Sequence, residues 1–248
     1  MKAVCILLFT FLFMGCNNKP DSLTAQQIIE KAIDTSCNKH CDEAVISFTF
    51  RDKKYKSERT NGNFQLERMW VDSTGPIRDV LTNTGFTRYI ANDSVQVLAD
   101  STAAAYANSV NSVHYFAQLP YGLKSEAVLK KLLGETTIKK QPYYKIEVRF
   151  KEEGGGTDFE DVFIYWVHTK NFTVDYLAYE YSVNEGGLRF REAYNLRIIK
   201  GIRFVDYNNY KPKTPDIKLT ALDSLFEADQ LALLSKIETE DIEVTLPQ

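Results

Sequence analysis

Four cysteines set the first chemical possibilities of this 248-residue chain. Cys16 closes the run Phe13-Met14-Gly15-Cys16, which follows one basic residue, Lys2, and an uncharged stretch from Ala3 to Leu12 that is apolar but for Thr10. That stretch is about half the ~20 residues a helix needs to cross a bilayer, so it reads as a signal peptide and not as an anchor. Cleavage before Cys16 leaves its thiol to take a diacylglyceryl group, and acyl chains at about 0.8 kcal/mol per buried methylene then hold the protein on a membrane. Cys5 leaves with the signal, and Cys37 and Cys41 remain. In an oxidising compartment the two join as a disulfide that closes a short loop, worth about 2 kcal/mol. The competing reading, a metal site built from Cys37, His40 and Cys41, has no second cysteine or histidine cluster to complete a tetrahedral shell, so neither metal nor cofactor is expected.

The other reactive side chains are dispersed. His40, His114 and His168 are too far apart in sequence to read as a metal motif or triad, and the chain has no Gly-x-Ser-x-Gly, His-Glu-x-x-His or Walker loop. Lys145 alternates with Tyr144 and Ile146, which predicts a solvated strand position and not a desolvated amine nucleophile. Gly154-Gly155-Gly156 leads into the strand-like Asp161 to Trp166, so it reads as a hairpin loop; a phosphate cradle would open a helix instead. Asn111, His114 and Gln118 stand at i, i+3 and i+7. That polar stripe can meet a ligand head group or satisfy strand ends.

These groups must be positioned by a largely antiparallel β structure. The formal net charge is −3, or −4 once Lys2 leaves with the signal, and no long basic run is present, so nucleic acid is excluded as the expected partner. Residues 1–15 are assigned to the signal, 16–23 to a polar tether and 24–248 to one β-rich domain. Fourteen Tyr and fifteen Phe, mostly between Phe48 and Tyr210 and among Val, Ile and Thr, favour pleated half-buried strands. Thr24-Ala25-Gln26-Gln27 matches a capping box, so a helix starts there. Strands are expected at Val45 to Phe50, Lys54 to Thr60, Asn63 to Val71 and Thr87 to Leu98, with a turn at Asn61-Gly62. Ser101 to Leu133 reads as a helical insertion broken at Pro120, Tyr143 to Tyr210 as a second set of strands, and Ala221 to Ser235 as a helical stretch.

The second set permits a register argument. A turn at Asn184 to Gly187 places Val183 opposite Leu188, Tyr181 opposite Phe190, Tyr179 opposite Glu192 and Leu177 opposite Tyr194. A turn at Lys200-Gly201 places Leu196 opposite Val205, Asn195 opposite Asp206 and Tyr194 opposite Tyr207. Both predict one aromatic face, with Tyr179, Tyr181, Phe190, Tyr194 and Tyr207, joined by Trp166; the other face would carry Glu180 paired with Arg191.

A first helix, antiparallel strands, a helical insertion and a strand-rich second half resemble the curved, open half-barrel of the LolA/LolB-like lipoprotein carriers. The motifs Phe48-Thr49-Phe50-Arg51, Asn108 to Phe116, Asp161 to Trp166, Asp175 to Tyr179 and Arg189 to Tyr194 resemble an uncharacterised family of bacterial secreted lipoproteins over nearly the whole mature chain. The resemblance implies an α+β, mainly antiparallel fold with helices on one side of a curved sheet. It further implies a non-enzymatic protein of the outer membrane, facing the periplasm, that binds a lipid or other hydrophobic ligand or an envelope protein. An envelope hydrolase or lyase is the alternative. The ligand-lining candidates are Trp166, Tyr179, Tyr181, Phe190, Tyr194, Tyr207, Asn111 and His114.

Overall fold

The computed structural model describes residues 22–91, 93–153, 160–182 and 186–247. The readings made of Cys16, of the glycine loop at 154–156 and of Val183 fall outside them. Two seven-stranded antiparallel sheets make up the molecule. The first runs from β1 (Val45–Phe50) through β2 (Lys53–Thr60), β3 (Asn63–Asp72), β4 (Gly75–Thr82) and β5 (Gly85–Ile90) to β6 (Ser94–Gln96). The second runs from β7 (Val128–Ile138) through β8 (Gln141–Phe150), β9 (Val162–His168), β10 (Val174–Tyr181), β11 (Gly187–Ile199) and β12 (Ile202–Pro212) to β13 (Leu231–Ile237). The last strand, β14 (Glu240–Thr245), returns beside β1 and ties the end of the second sheet to the start of the first. The two do not close into a barrel.

Three helices cover this framework. α1 (Ala25–Cys37) begins at the Thr24 capping box, in which the hydroxyl accepts from the Gln27 amide at 3.2 Å and the Gln27 side chain accepts from the Thr24 amide at 2.9 Å. Its buried Ile28, Ile29 and Ala32 pack on Ile146, Tyr165, Leu177 and Tyr207 of the second sheet. Cys37, its last residue, is bonded to Cys41, with Cα atoms 5.2 Å apart. α2 (Asp100–Ala117) lies in the concave space, and α3 (Leu222–Glu227) covers the opposite face of the second sheet.

Several expected elements are redrawn. The helical insertion ends at Ala117, and Val128 onward is β7, whose Gly134 sits in a bulge at φ 123°. A short apolar run such as Val128 to Leu133 carries no decisive period, and pairing with β8 settles it as strand. Leu231–Ile237 is likewise strand, paired with β12. β4 is a further strand, between β3 and β5, beyond those expected.

The predicted register is corrected at both turns. Tyr181 pairs with Gly187, Tyr179 with Arg189 and Leu177 with Arg191, three residues away from the expected ladder, and Glu180 meets Leu188 instead of Arg191. The Lys200-Gly201 turn does join Ile199 to Ile202, but a bulge between Tyr194 and Arg197, with Asn195 at φ 50°, then sets Tyr194 opposite Asp206 and Ala193 opposite Tyr207. An odd slip exchanges the two faces of a strand. Phe190 and Tyr194 therefore lie on the α3 side, where the pairing of β9 with β10 also sets Trp166, and Tyr179, Tyr181, Arg191 and Tyr207 lie on the opposite, concave side.

Candidate functional site

α2 meets the first sheet through polar groups. Arg68, Asp79 and Arg88 are direct cross-strand neighbours on β3, β4 and β5. Asp79 is fully enclosed and accepts from Arg68 at 2.6 and 3.1 Å and from Arg88 at 2.6 and 2.9 Å. Arg68 also donates to the Ser109 hydroxyl at 2.7 Å, and the Arg88 guanidinium lies 3.8 Å from the centre of the Tyr106 ring. Further along α2, the His114 ring bonds the Glu67 carbonyl at 3.0 Å and Gln118 donates to Ser57 at 2.8 Å. Those last two bonds account for two members of the predicted polar stripe as anchors of the helix. Because Nε2 donates to a carbonyl, Nδ1 of His114 is the bare acceptor, and it has no partner. Burial between Phe48 and Tyr55, each 5.6 Å away, pushes the imidazole pKa down to about 4.

Two cavities remain beside the helix. One, of ≈ 450 Å³, is lined by Asn111, His114 and Tyr115 of α2 and by Gln118 at its C-cap, by Arg59, Phe64 and Leu66 of the first sheet, and by Phe150 of the second. Arg59 stands 4.7 Å from the Tyr121 ring, its Nη1 is enclosed without an acceptor, and desolvation holds its pKa below the usual arginine value. The other cavity, of ≈ 280 Å³, is lined by Val113, Phe116 and Ala117 of α2 and by Phe50, Arg191, Val205, Tyr207 and Ile237. Between the two, the Tyr115 hydroxyl bonds that of Tyr165 at 2.6 Å, and Phe116 packs on Tyr179 with ring centres 5.7 Å apart.

Of the sequence candidates, Asn111, His114 and Tyr207 line these spaces. Tyr179 sits behind Phe116 and accepts from Arg191 at 2.9 Å, while the Tyr181 ring lies tilted beside that of Tyr179, 6.0 Å between centres. Phe190 is removed from the cavities by the register change, and Trp166 by its pairing with Tyr176, on the face of the sheet opposite Tyr179. Trp166 donates to Asp223 at 3.2 Å, Phe190 stacks on Phe226 at 4.8 Å, and both belong to the packed core under α3. Tyr194 donates to Glu238 at 2.7 Å on the same side. Lys145, expected in solvent, is largely enclosed there and donates to both oxygens of Asp223 at 2.9 and 2.8 Å. Arg191, Arg59 and the Tyr115–Tyr165 pair were not anticipated. Among the described residues no group of three or more His, Cys, Asp or Glu is placed to hold a metal.

The fold has solved counterparts. The crystal structure of LolA superfamily protein NE2245 from Nitrosomonas europaea matches with a TM-score of 0.52 and 14% identity, over 92% of this chain and 95% of that one. A DUF1329 family protein from Desulfovibrio piger matches with a TM-score of 0.52 and 10% identity, over 90% and 93%. These likenesses are of fold, and they make the architecture LolA-like. No curated protein matches the sequence. The profile of a family of unknown function, DUF6503, matches residues 2–239, and the chain belongs to that family.

Proposed function

We propose that this protein is a non-enzymatic envelope lipoprotein that binds a hydrophobic or amphiphilic ligand against its concave face, beside α2. The observation that carries this reading is the pair of cavities. A sheet face built of Phe163, Tyr165, Tyr179 and Tyr207 is capped by a helix that leaves ≈ 450 and ≈ 280 Å³ unfilled on its two sides. Small-molecule sites are concave, mostly apolar spaces of about 300–1,000 Å³ with a few placed polar groups, and these spaces have that character. A hydrolase or lyase has less support. Among the described lining residues His114 is the one histidine; it is pinned to a backbone carbonyl and held neutral, and Lys145 is ion-paired on the other face.

Attachment through an acylated Cys16, at the outer membrane and facing the periplasm, belongs to the same proposal and rests on the sequence motif alone. Mass spectrometry of protein purified from the membrane fraction in mild detergent tests both parts. The expected result is a lipid-modified N-terminus at Cys16 and a stoichiometric hydrophobic compound in the organic extract. Protein that carries no extractable ligand and takes up none from added fatty acid would end the binding reading.

A further inference from the structure

Enclosing a guanidinium costs several kcal/mol unless an anion or a full set of acceptors meets it. The other strongly buried arginines of this molecule follow that rule. Arg68 and Arg88 share Asp79, and Arg203, although its Nε too is without an acceptor, donates to Asp175 at 3.0 Å and to the Val174 carbonyl at 3.2 Å. Arg191 is as deeply placed, 8% exposed, yet no carboxylate among the described residues lies within ion-pairing distance of it. Its Nη2 donates to the Tyr179 hydroxyl and its guanidinium lies 4.1 Å from the Phe116 ring centre. Its Nε is enclosed and has no acceptor.

A second unpaired group stands directly opposite. Asn209 is the cross-strand partner of Arg191, and its Oδ1 is enclosed without a donor while its Nδ2 donates to Ser235 at 3.1 Å. Exchanging the O and N of that amide turns an N–H donor to the side where Oδ1 stands without a partner, with the Ser235 hydroxyl donating to Oδ1 instead. Both residues line the ≈ 280 Å³ cavity, whose described lining includes a second arginine, Arg51, and no acidic residue. The remaining wall is mostly apolar, chiefly Phe50, Val113, Val205 and Ile237, with Ser112 and Thr239 also lining it. A site that pairs an uncompensated cation with an apolar wall is complementary to an anionic group carried on a hydrocarbon chain.

We propose that Arg191, with Asn209, receives the oxyanion head group of an amphiphile, a carboxylate or a phosphate, whose apolar part lies against α2. This rests on the ligand-binding reading above and names the ligand class. The test uses a fluorescent dansyl-undecanoic acid and its methyl ester, titrated into the full mature chain, with Arg191→Gln and Arg191→Lys variants checked for folding by circular dichroism. The wild type should prefer the acid over the ester by about tenfold or more, the scale of a charge-assisted hydrogen bond. Arg191→Gln should bring that ratio to within about twofold of unity, and Arg191→Lys should restore part of it. The ligand-free Gln variant should melt no lower than the wild type, because an unpaired buried charge is removed. Decyl phosphate and inorganic phosphate, used as competitors, separate the sources of the anion. Displacement of the acid by decyl phosphate alone supports the proposal, and equal displacement by inorganic phosphate overturns it. Equal binding of acid and ester by the wild type overturns the head-group assignment while ligand binding stands; failure of both probes to bind removes both.

Discussion

The two faces of the second sheet are made from the same residue types and packed to different ends. Under α3 the polar groups are mutually satisfied: Lys145, Asp223 and Trp166 form one bonded set, and Phe190, Tyr176, Tyr210 and Phe226 interlock around it. Under α2 the packing is interrupted. Seven described side chains have an enclosed polar atom without a partner, and four of them, Arg59, His114, Arg191 and Asn209, line the two cavities beside that helix. Native interiors leave few such atoms, since each costs about 1–3 kcal/mol. Their concentration at one place, next to unfilled volume, distinguishes a surface that receives something from a surface that is already core.

The largest expected effect sets the two faces against each other. Phe190→Ala should cost about 3–5 kcal/mol, because the fully enclosed ring is surrounded by Trp166, Tyr176, Tyr210 and Phe226, which cannot all collapse into the space. Tyr207→Ala, on a ring that already borders a cavity, should cost less than half as much. Urea denaturation of the two variants decides it. Equal losses would mean that the concave face is packed as tightly as the other, and the contrast would disappear.

Acid should act through the open face next. The His114 pKa is about 4 in the folded chain against about 6.5 when unfolded, because burial disfavours the cation. The unfolded state therefore binds more protons between those values. The stability from this group is complete above about pH 6.5 and is lost as pH falls through 4, amounting to about 3 kcal/mol. A His114→Leu variant should lack that component, so the wild type should lose about 3 kcal/mol more than the variant between pH 7 and pH 4. Parallel pH profiles would show that the imidazole is not held neutral under α2.

The sequence showed more of the scaffold than of this contrast. The α1 capping box, the Asn61-Gly62 and Lys200-Gly201 turns and the meander of β8 to β12 were legible because each depends on neighbouring residues. Which face a side chain occupies depends on the sum of every register step before it. The loop between β10 and β11 and the bulge at Asn195 each change that sum. Two turns that agreed with each other therefore misassigned Phe190 and Tyr194 to the face of Tyr179 and Arg191 to the face opposite, while Trp166, joined to that face with no register of its own, pairs with Tyr176 on the α3 side. Arg68, Asp79 and Arg88 were invisible for a related reason, since their alignment requires three strand registers at once and one of the strands had not been recognised.

The smallest effect is the finest probe of the comparison. Adding a methylene to a filled core forces strained rotamers and costs about 1–3 kcal/mol, whereas a residue that borders free volume can accept it. Val113 of α2 borders the ≈ 280 Å³ cavity, and Ala178 of β10 is fully enclosed on the α3 side. Val113→Leu should thus change stability by less than about 1 kcal/mol, helped by the better helix propensity of leucine, while Ala178→Val should fall in the overpacking range. The Val113 variant also occupies part of the proposed ligand space, so its uptake of dansyl-undecanoic acid should weaken without a matching loss of stability. Were both substitutions to cost the same, the volume beside α2 would be no more accommodating than the core under α3, and the functional meaning given to the unpaired groups around it would have to be abandoned with it.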